Sequence, residues 1–333
     1  MSVTSHDVAR LAGVSQPTVS RALRGDGRIA EATRERVARA AAQLGYVPSE
    51  PGRSLSTRST RQIAMVADLE NPLYPTLVGP LHDRFAEHGY RMVLLAERGD
   101  DQVTYARLLD KSVDAAVLTT TLLDSSLSQL LLERDLPFVE LNRRSGLRGA
   151  RALTADNAAG AAACVDLLVG LGHERIGAIF GPARTSTAGD RERGFRAALD
   201  AAGLSLPPEL VSRGWFTYDD GVHGFGALMG ARPRPTAIFC GNDMVAVGAL
   251  NRALEMGVDV PGEVSLVGFD DLPIASWPCF QLTTVRVDLA AMARDAADQL
   301  VARLTTRGSA APAGLPYPIH VVPRRTHAVA QTR

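Results

Sequence analysis

From residue 62 onward, short runs of β-branched and aliphatic residues alternate with amphipathic stretches, and this alternation restricts the possible folds more than any other feature. The runs that predict strands are Gln62–Asp68, Tyr90–Glu97, Asp114–Thr120, Pro137–Asn142, Arg175–Gly181, Thr236–Asn242, Val264–Asp270 and Leu282–Asp288. Helices are predicted between or after them at Thr76–His88, Gly160–Leu171, Asp190–Ala202, Asp243–Met256 and Ala290–Leu304. Such alternation predicts parallel sheets covered by helices. Eight strands within residues 62–333 favour two α/β subdomains, although the same count also fits a TIM barrel.

Length and composition are those of an ordinary globular protein. The 333 residues allow two or three compact domains, and 46% of them are hydrophobic and 22% charged. No stretch reaches the roughly 18 unbroken apolar residues of a membrane helix, and residues 1–7 lack the apolar core of a signal peptide. We therefore expect a cytoplasmic protein without membrane contact. Cys164, Cys240 and Cys279 are widely spaced and are predicted to be core thiols, so neither a disulfide, a metal site nor a cofactor is expected.

Charge is distributed unevenly along the chain. The 36 basic and 36 acidic residues cancel overall, but residues 1–60 hold nine arginines against five acids, a net charge of +4. The remainder holds 27 basic and 31 acidic residues, a net charge of −4. The neutral total therefore does not exclude a nucleic-acid partner, because the basic surplus is concentrated in the N-terminal segment.

This basic segment predicts three short helices, at His6–Ala12, Gln16–Leu23 and Glu31–Leu44. Gly13 permits a tight turn between the first two, and Ser15 is a suitable N-cap for the second. Two helices joined by such a turn, with a third packed against them, can place the second helix in the DNA major groove. A generic three-helix bundle is the alternative. Polar and basic side chains along one face of the second helix favour the DNA-binding interpretation, namely Gln16, Thr18, Ser20 and Arg21.

The segment also resembles a known family. The run Asp-Val-Ala-Arg-Leu-Ala-Gly-Val-Ser-Gln-Pro-Thr-Val-Ser-Arg-Ala-Leu at residues 7–23, followed by Thr-Arg-Glu-Arg-Val at 33–37 and Leu-Gly-Tyr-Val-Pro at 44–48, is similar to the helix-turn-helix of the LacI/GalR family of bacterial repressors. The resemblance implies that Gln16, Pro17 and Arg21 read bases, and that Thr18 and Ser20 mostly hold phosphates. It implies DNA contacts for two further residues, Ser15 and Arg24.

Residues 49–61 are rich in Ser, Pro, Gly and Arg, a composition typical of a linker between domains. In the family this segment is a hinge that becomes helical on the operator. The resemblance implies that Arg53 contacts DNA and that Leu55 is a minor-groove wedge. Pro51 and Gly52 depart from the better helix formers of the family, and a plain flexible linker is the alternative. The predicted division is therefore a helix-turn-helix domain at 1–48, a hinge at 49–61 and an effector and dimerisation domain at 62–333.

Polar residues gather after the predicted strands, where ligands bind in open parallel sheets. Motifs in this region follow the order of the family's effector domain, which is similar to periplasmic sugar-binding proteins. The resemblance implies two Rossmann-like parallel-sheet subdomains, an N-subdomain at about 62–155 and 286–318 and a C-subdomain at about 156–285 and 319–333. By position, the residues expected to line the cleft between them are Leu73, Tyr74, Asn142, Thr187, Arg191, Phe216, Asn242 and Asp270.

The chemistry of these residue types favours a sugar or polyol. Vicinal hydroxyls both donate and accept, so Arg191, Asp270 and the two asparagines can each hold neighbouring groups. Tyr74, Phe216 and Trp215 can cover an apolar sugar face, although an aromatic shelf also suits a purine. Each residue has a structural alternative as a cap, an ion-pair partner or a core residue; the set at strand ends favours a ligand site.

Other polar residues are interpreted as structural. His173 follows Gly172 at a predicted helix end and is expected to be a cap or a hydrogen-bonding group. The pairs Arg143-Arg144 and Arg324-Arg325 are expected to be solvated charges. Adjacent Asp270 and Asp271 at a strand end point in different directions, which disfavours a metal or acid–base dyad.

The sequence thus predicts a homodimeric repressor that binds pseudo-palindromic double-stranded operator DNA and is controlled by a small effector. We expect it in the cytoplasm, on the nucleoid when bound to the operator. The seven residues after Thr326 are too few for heptads, which predicts a dimer instead of a coiled-coil tetramer. A sugar-transport protein would need an export signal. A hydrolase would need a nucleophile and base, and no such signature stands out, so catalysis is not expected.

Overall fold

The computed structural model describes residues 3–23, 25–47, 59–97, 102–306 and 315–331. The chain forms two compact units, residues 1–60 and 61–333. Arg24, Arg53, Leu55 and most of the predicted hinge lie outside the described residues. None of the helices within the described ranges is long and apolar enough to cross a bilayer.

The N-terminal unit contains three helices, α1 Ser5–Ala12, α2 Gln16–Leu23 and α3 Glu31–Leu44. Helices α1 and α3 each end at a glycine with left-handed backbone, because a residue without a Cβ adopts this conformation at little cost. The φ angles are +63° at Gly13 and +61° at Gly45. Val8, Val19 and Val37, one from each helix, are fully buried at the centre of the core. The three predicted helices are confirmed.

The second unit begins with a parallel sheet. Its elements are β1 Gln62–Ala67, α4 Pro75–Glu87, β2 Arg91–Ala96, α5 Gln102–Leu109, β3 Ala115–Leu118, α6 Ser126–Glu133, β4 Phe138–Leu141 and β5 Ala152–Leu153. The strand order is β2-β1-β3-β4-β5. Strands β3 and β4 are buried along their whole length, as expected for a parallel sheet covered on both faces. Pro75 opens α4, whose residues Leu77, Leu81 and Phe85 recur every four positions and face the core.

A second parallel sheet follows. Its elements are α7 Asn157–Gly170, β6 Ile176–Phe180, α8 Ser186–Ala201, β7 Val211–Arg213, α9 Tyr218–Gly230, β8 Ala237–Cys240, α10 Asp243–Glu255 and β9 Ser265–Val267, with short 3₁₀ turns at Pro208–Leu210 and Pro273–Ser276. The strand order is β7-β6-β8-β9. The rings of Phe180, Phe195 and Phe239 lie 5.2 to 6.1 Å apart and fill the space between β6, β8 and α8.

The end of the chain connects the two sheets. It contains β10 Thr284–Val287, α11 Leu289–Thr305 and β11 Ile319–Val322. Strands β10 and β11 form an antiparallel ribbon, and Val285 and Val287 pack in the core of the second sheet. Helix α11 instead packs against α4, and its Met292 and Leu300 lie in the core of the first sheet. The chain therefore passes from one subdomain to the other between Val287 and Met292, as it also does near Leu153.

The eight predicted strands and five predicted helices are present, which confirms the α/β class with two parallel-sheet subdomains. The TIM-barrel alternative is wrong, because the parallel strands form two separate sheets with different strand orders instead of one closed barrel. Elements that the sequence did not predict are α5, α6 and α9 and the short strands β5, β7 and β11.

Candidate ligand cleft and candidate DNA-binding helix

A cleft opens at the carboxyl ends of the two parallel sheets and spans about 230 Å³, including its solvent-open mouth. This is the position at which open α/β sheets bind ligands. The lining residues are Asn71, Leu73, Tyr74, Asn142, Arg143, Thr187, Arg191, Phe216, Asn242 and Asp270. The structure thus brings together all eight predicted cleft residues and adds Asn71 and Arg143. Their contact with a ligand remains a prediction.

An ion pair between Arg191 and Asp270 lies at the base of the cleft. Arg191 Nη2 donates to Asp270 Oδ1 at 2.7 Å, and both side chains are about 95% buried, with 5% and 4% exposure. The other guanidinium nitrogens donate to Asn157 Oδ1 at 2.8 Å and to the Gly241 carbonyl at 2.6 Å. Burial raises the pKa of Asp270, and the neighbouring Arg191 charge opposes that rise. The guanidinium is thereby fixed in one orientation before any ligand arrives.

The backbone is strained at several cleft residues. Asn142, Phe216 and Asp270 have φ angles of +72°, +68° and +108°, a region that side chains with a Cβ seldom adopt. The Phe216 ring also requires a glycine beneath it, because a Cβ on Gly181 would lie 2.0 Å from the ring. Strain of this kind persists where the surrounding structure holds it and is often found at ligand sites.

Asn242 has a structural role besides lining the cleft. Its Oδ1 accepts the Val245 N–H at 2.9 Å and caps α10, and its Nδ2 donates to the Phe216 carbonyl at 3.2 Å. Asn242 therefore links two walls of the cleft. Thr187 lies in the first turn of α8, two residues after the capping residue Thr185.

The neighbouring Asp243 was not predicted to serve the site. It is completely buried; its Oδ1 accepts the Thr284 hydroxyl at 2.5 Å and its Oδ2 accepts the Leu272 N–H at 2.7 Å. Burial raises the pKa of Asp243 well above its ordinary value, and the nearby charge of Asp270 raises it further. Asp243 thus anchors the loop that carries Asp270. Sequence reasoning missed it because an acid at a helix start also reads as an ordinary first-turn residue.

The prediction of solvated charges was wrong for Arg143, Arg144 and Arg324. Arg143 lines the cleft, with its guanidinium carbon 5.8 Å from the centre of the Tyr74 ring. Arg144 pairs with Asp190, Nη2 to Oδ1 at 3.0 Å. Arg324 Nη2 donates to Asp271 Oδ1 at 2.6 Å, and its side chain is only 12% exposed. The two arginines of an adjacent pair can therefore have different environments, because successive side chains leave a loop in different directions.

Asp270 and Asp271 do point apart, as predicted: Asp270 binds Arg191, whereas Asp271 binds Arg286 and Arg324. The structural role of His173 is also confirmed. Its Nε2 lies 3.0 Å from the Ala328 carbonyl, which can only accept, so Nε2 carries the hydrogen. Its Nδ1 then accepts from the Thr236 hydroxyl at 2.9 Å.

Two of the three thiols, those of Cys164 and Cys240, are buried core groups as predicted. Cys279 is exposed, so that part of the prediction was wrong. It lies in the loop after the second 3₁₀ turn, close to Trp277, which is 52% exposed.

In the N-terminal unit, α2 buries one face and leaves the other open. Val19 and Ala22 are buried in the three-helix core, whereas Ser15, Pro17 and Arg21 are exposed. The remaining predicted DNA contacts on this helix, Gln16, Thr18 and Ser20, are half-buried.

Side-chain contacts around the start of α2 order part of this face. The hydroxyls of Ser15 and Thr18 lie 2.8 Å apart, and Gln16 Nε2 donates to Ser5 Oγ at 3.2 Å. Pro17 and Arg21 are four residues apart and therefore lie on the same side of the helix. Two of the residues predicted to read bases, Pro17 and Arg21, thus share an exposed side of α2.

Comparisons with known proteins agree with this architecture. Residues 4–49 match the family described as bacterial regulatory proteins, lacI family, and residues 165–327 match the periplasmic binding protein-like domain. The HTH-type transcriptional regulator CelR of Thermobifida fusca is 34% identical over 308 residues, which cover 90% of this chain and 91% of that protein.

Two solved structures resemble the whole chain. A complex of transcriptional regulator CelR with cellobiose has a TM-score of 0.75 and 32% identity, covering 97% of this chain and 99% of the other. A lac repressor dimer bound to operator and the anti-inducer ONPF has the same fold, with a TM-score of 0.87 over 98% of this chain and 100% of the other at 24% identity. The helix-turn-helix unit, the two-sheet unit and this extent of identity together show that the chain belongs to the LacI family of bacterial transcriptional regulators.

Proposed function

We propose that the protein is a homodimeric transcriptional repressor whose affinity for a pseudo-palindromic operator is set by a sugar or polyol bound in the cleft. The observation that carries this proposal is the buried Arg191–Asp270 pair at the carboxyl ends of the second sheet. The proposed site of action is the cytoplasm, with the protein on the nucleoid when it binds DNA. Neither catalysis nor a cofactor is part of the proposal.

The polarity of the cleft supports a polyhydroxylated ligand. Two arginines, a carboxylate, three asparagine amides and a threonine hydroxyl offer donors and acceptors around the cleft. CelR, a family member, has been solved with cellobiose, which makes a carbohydrate the natural first class to test.

For DNA, we assign base reading to Gln16, Pro17 and Arg21 on the open face of α2. An arginine donates two hydrogen bonds to guanine O6 and N7 in the major groove, whereas proline can offer only apolar contact or shape. The hydroxyls of Ser15, Thr18 and Ser20 suit phosphates, as do the arginines of the positively charged segment, including Arg24 and Arg53. Leu55 is assigned to the minor groove as a wedge.

A twofold-symmetric dimer would present two copies of α2 to two half-sites, about one helical turn of DNA or a multiple apart. The solved lac repressor dimer shows this fold bound to an operator. The ligand would act by favouring one arrangement of the two subdomains over another, because an effector shifts an equilibrium only through its different affinity for the two states.

The test has two stages. Selection of full-length protein against random duplex DNA should enrich a pseudo-palindromic site, and anisotropy titrations should then measure its affinity. A thermal-shift panel of monosaccharides, polyols, cellobiose and nucleobases should identify a ligand, which is then added to the operator titration. We expect a sugar or polyol to change operator affinity. Failure to enrich any duplex, or a change caused only by nucleobases, would overturn the proposal.

A further inference from the structure

The charges that line the cleft do not balance. Two arginines, Arg143 and Arg191, face a single carboxylate, that of Asp270. Arg191 binds this carboxylate at 2.7 Å and uses its other nitrogens on Asn157 and Gly241. Among the described residues Arg143 forms no ion pair with a carboxylate; its charge acts on Asp270 only at longer range, where it lowers the pKa of that carboxyl.

Arg143 is held in place without being compensated. It follows Asn142, whose φ of +72° turns the chain at the end of β4 and whose N–H is bound to the Leu153 carbonyl at 2.9 Å. Its guanidinium lies over the face of the buried Tyr74 ring, and its Nε is inaccessible and has no hydrogen-bond partner. A buried donor of this kind costs free energy until something accepts its hydrogen bond.

Three other acids near the cleft already have partners within the protein. Asp190 binds Arg144 and Arg193, Nη2 to Oδ1 at 3.0 and 2.8 Å. Asp271 binds two further arginines, and Asp243 is occupied by a hydroxyl and a backbone N–H. Arg144, the next residue in this loop, has its charge paired with the Asp190 carboxylate, whereas Arg143 has no such pair. The missing counter-charge can therefore come from the ligand.

We propose that the effector is an anionic sugar, one that carries a carboxylate or a phosphate, and that Arg143 binds its negative group. This inference rests on the proposed function and specifies its ligand. A guanidinium holds a carboxylate or phosphate with two parallel charge-assisted hydrogen bonds, which are roughly twice as strong as neutral ones. Asp270 does not oppose the anion strongly, because Arg191 already neutralises it. The sugar hydroxyls would then meet the Arg191–Asp270 pair while the acid group meets Arg143.

The test uses matched pairs of ligands that differ in charge. Full-length protein is titrated by calorimetry with glucose against glucuronate, galactose against galacturonate, glucose against glucose 6-phosphate, and ribose against ribose 5-phosphate. We expect the acidic member of at least one pair to bind more tightly by about tenfold or more. The uronate and phosphate arms distinguish the two sources of the negative charge.

Arg143→Gln should remove the preference for the acid, measured as the ratio of the acid's affinity to that of its neutral partner within each pair. Arg148→Gln is the matched control, because Arg148 is an exposed arginine of the same loop and does not line the cleft. It should leave both affinities unchanged. Arg143→Gln should also leave the melting temperature of the ligand-free protein unchanged or raised, since it removes an uncompensated charge, whereas loss of a structural ion pair would lower it.

The outcomes separate the two proposals. If neutral sugars bind and shift operator affinity as well as their acids do, or if Arg143→Gln keeps the full preference for the acid, the anionic effector is wrong and the sugar-controlled repressor stands. If no sugar of either charge binds and no polyol of the thermal-shift panel binds, the proposed function fails and this inference fails with it.

Discussion

At the residue scale, Arg191 is predicted to connect ligand recognition to stability. It satisfies Asp270, Asn157 and the Gly241 carbonyl from within the protein, and its guanidinium stacks 3.7 Å from the centre of the Phe269 ring. Arg191→Met should abolish the ligand-induced thermal shift and lower the free energy of unfolding by about 3–5 kcal/mol, because Asp270 would remain buried without its partner. Urea denaturation of the ligand-free protein measures the second effect.

Arg184→Ala is the control for that experiment. Arg184 pairs with Asp124 at 2.8 Å, but both side chains are 61% exposed, so we expect a change within about 0.5 kcal/mol and an unaltered ligand shift. An Arg191→Met protein that still binds the ligand with full affinity would remove Arg191 from the site.

A second residue-scale prediction concerns pH. Burial lowers the pKa of His173 below its ordinary 6.5, so the unfolded chain takes up a proton more readily than the folded one. The contribution of His173 to stability is therefore complete above about pH 6.5 and is lost as the pH falls through the folded-state pKa. Burial lowers the pKa of His327 in the same direction.

Denaturation at several pH values between about 7.5 and 5.5 should show stability falling with pH, and His173→Gln should make that decline shallower. The two proteins are compared by the slope of the free energy of unfolding against pH, so that a general loss of stability in the variant does not affect the result. An equal slope in the His173 variant would contradict the assigned role.

The cleft shows what residue types can and cannot predict. Family position and chemistry identified eight lining residues, because polar groups after parallel strands converge at one edge of each sheet. Arg143 was missed because nothing in the pair Arg143-Arg144 says which arginine faces Asp190 and which faces the cleft. The left-handed backbone of Asn142, with φ +72°, sets the direction of the chain that carries the two arginines. Such a conformation at an asparagine cannot be recognised from one sequence.

At the element scale, the exposed face of α2 carries the prediction for DNA. Arg21→Ala should cost about 1–3 kcal/mol per half-site against the selected operator and much less against scrambled DNA, because a bidentate base contact is lost but phosphate contacts remain. Anisotropy titrations at fixed salt measure both affinities. Ligand binding in the second unit should be unchanged.

Arg39→Ala is the control, because it removes one positive charge from the N-terminal unit, as Arg21→Ala does. Arg39 is exposed on α3 and not on α2, and its loss should weaken binding to operator and scrambled DNA by similar factors. If Arg21→Ala also weakened both equally, α2 would not be reading bases through Arg21.

Elements with strong periodicity were predictable and short ones were not. Helices α2 and α3 begin and end where the sequence places them, because Pro17 near one start and Gly45 after the other end mark their limits. Strand β5 has two residues and β7 three, too few to show an alternation. Strand β11 exists because β10 pairs with it across more than 30 intervening residues, and no local pattern reports such a partner.

At the scale of the whole molecule, the neutral net charge is the sum of a positive segment of residues 1–60 and a negative remainder. DNA therefore attracts the N-terminal segment and is repelled by the rest of the chain at long range. The two compact units can divide the functions in the same way, with operator contacts on one and the ligand on the other. In a regulator, operator binding and ligand binding must be coupled, and that coupling is a measurable free energy.

Coupling of this kind is reciprocal. If the ligand changes operator affinity by a given factor, the operator must change ligand affinity by the same factor, typically about 5- to 150-fold in allosteric proteins. Calorimetric titration of the ligand into full-length protein, free and saturated with operator, should return the factor found by anisotropy. A chain beginning at residue 61 keeps the cleft and lacks α2. Its affinity for the ligand should therefore equal that of the operator-free full-length protein, even when operator is present. Equal ligand affinity with and without operator in the full-length protein would mean that the cleft does not control DNA binding.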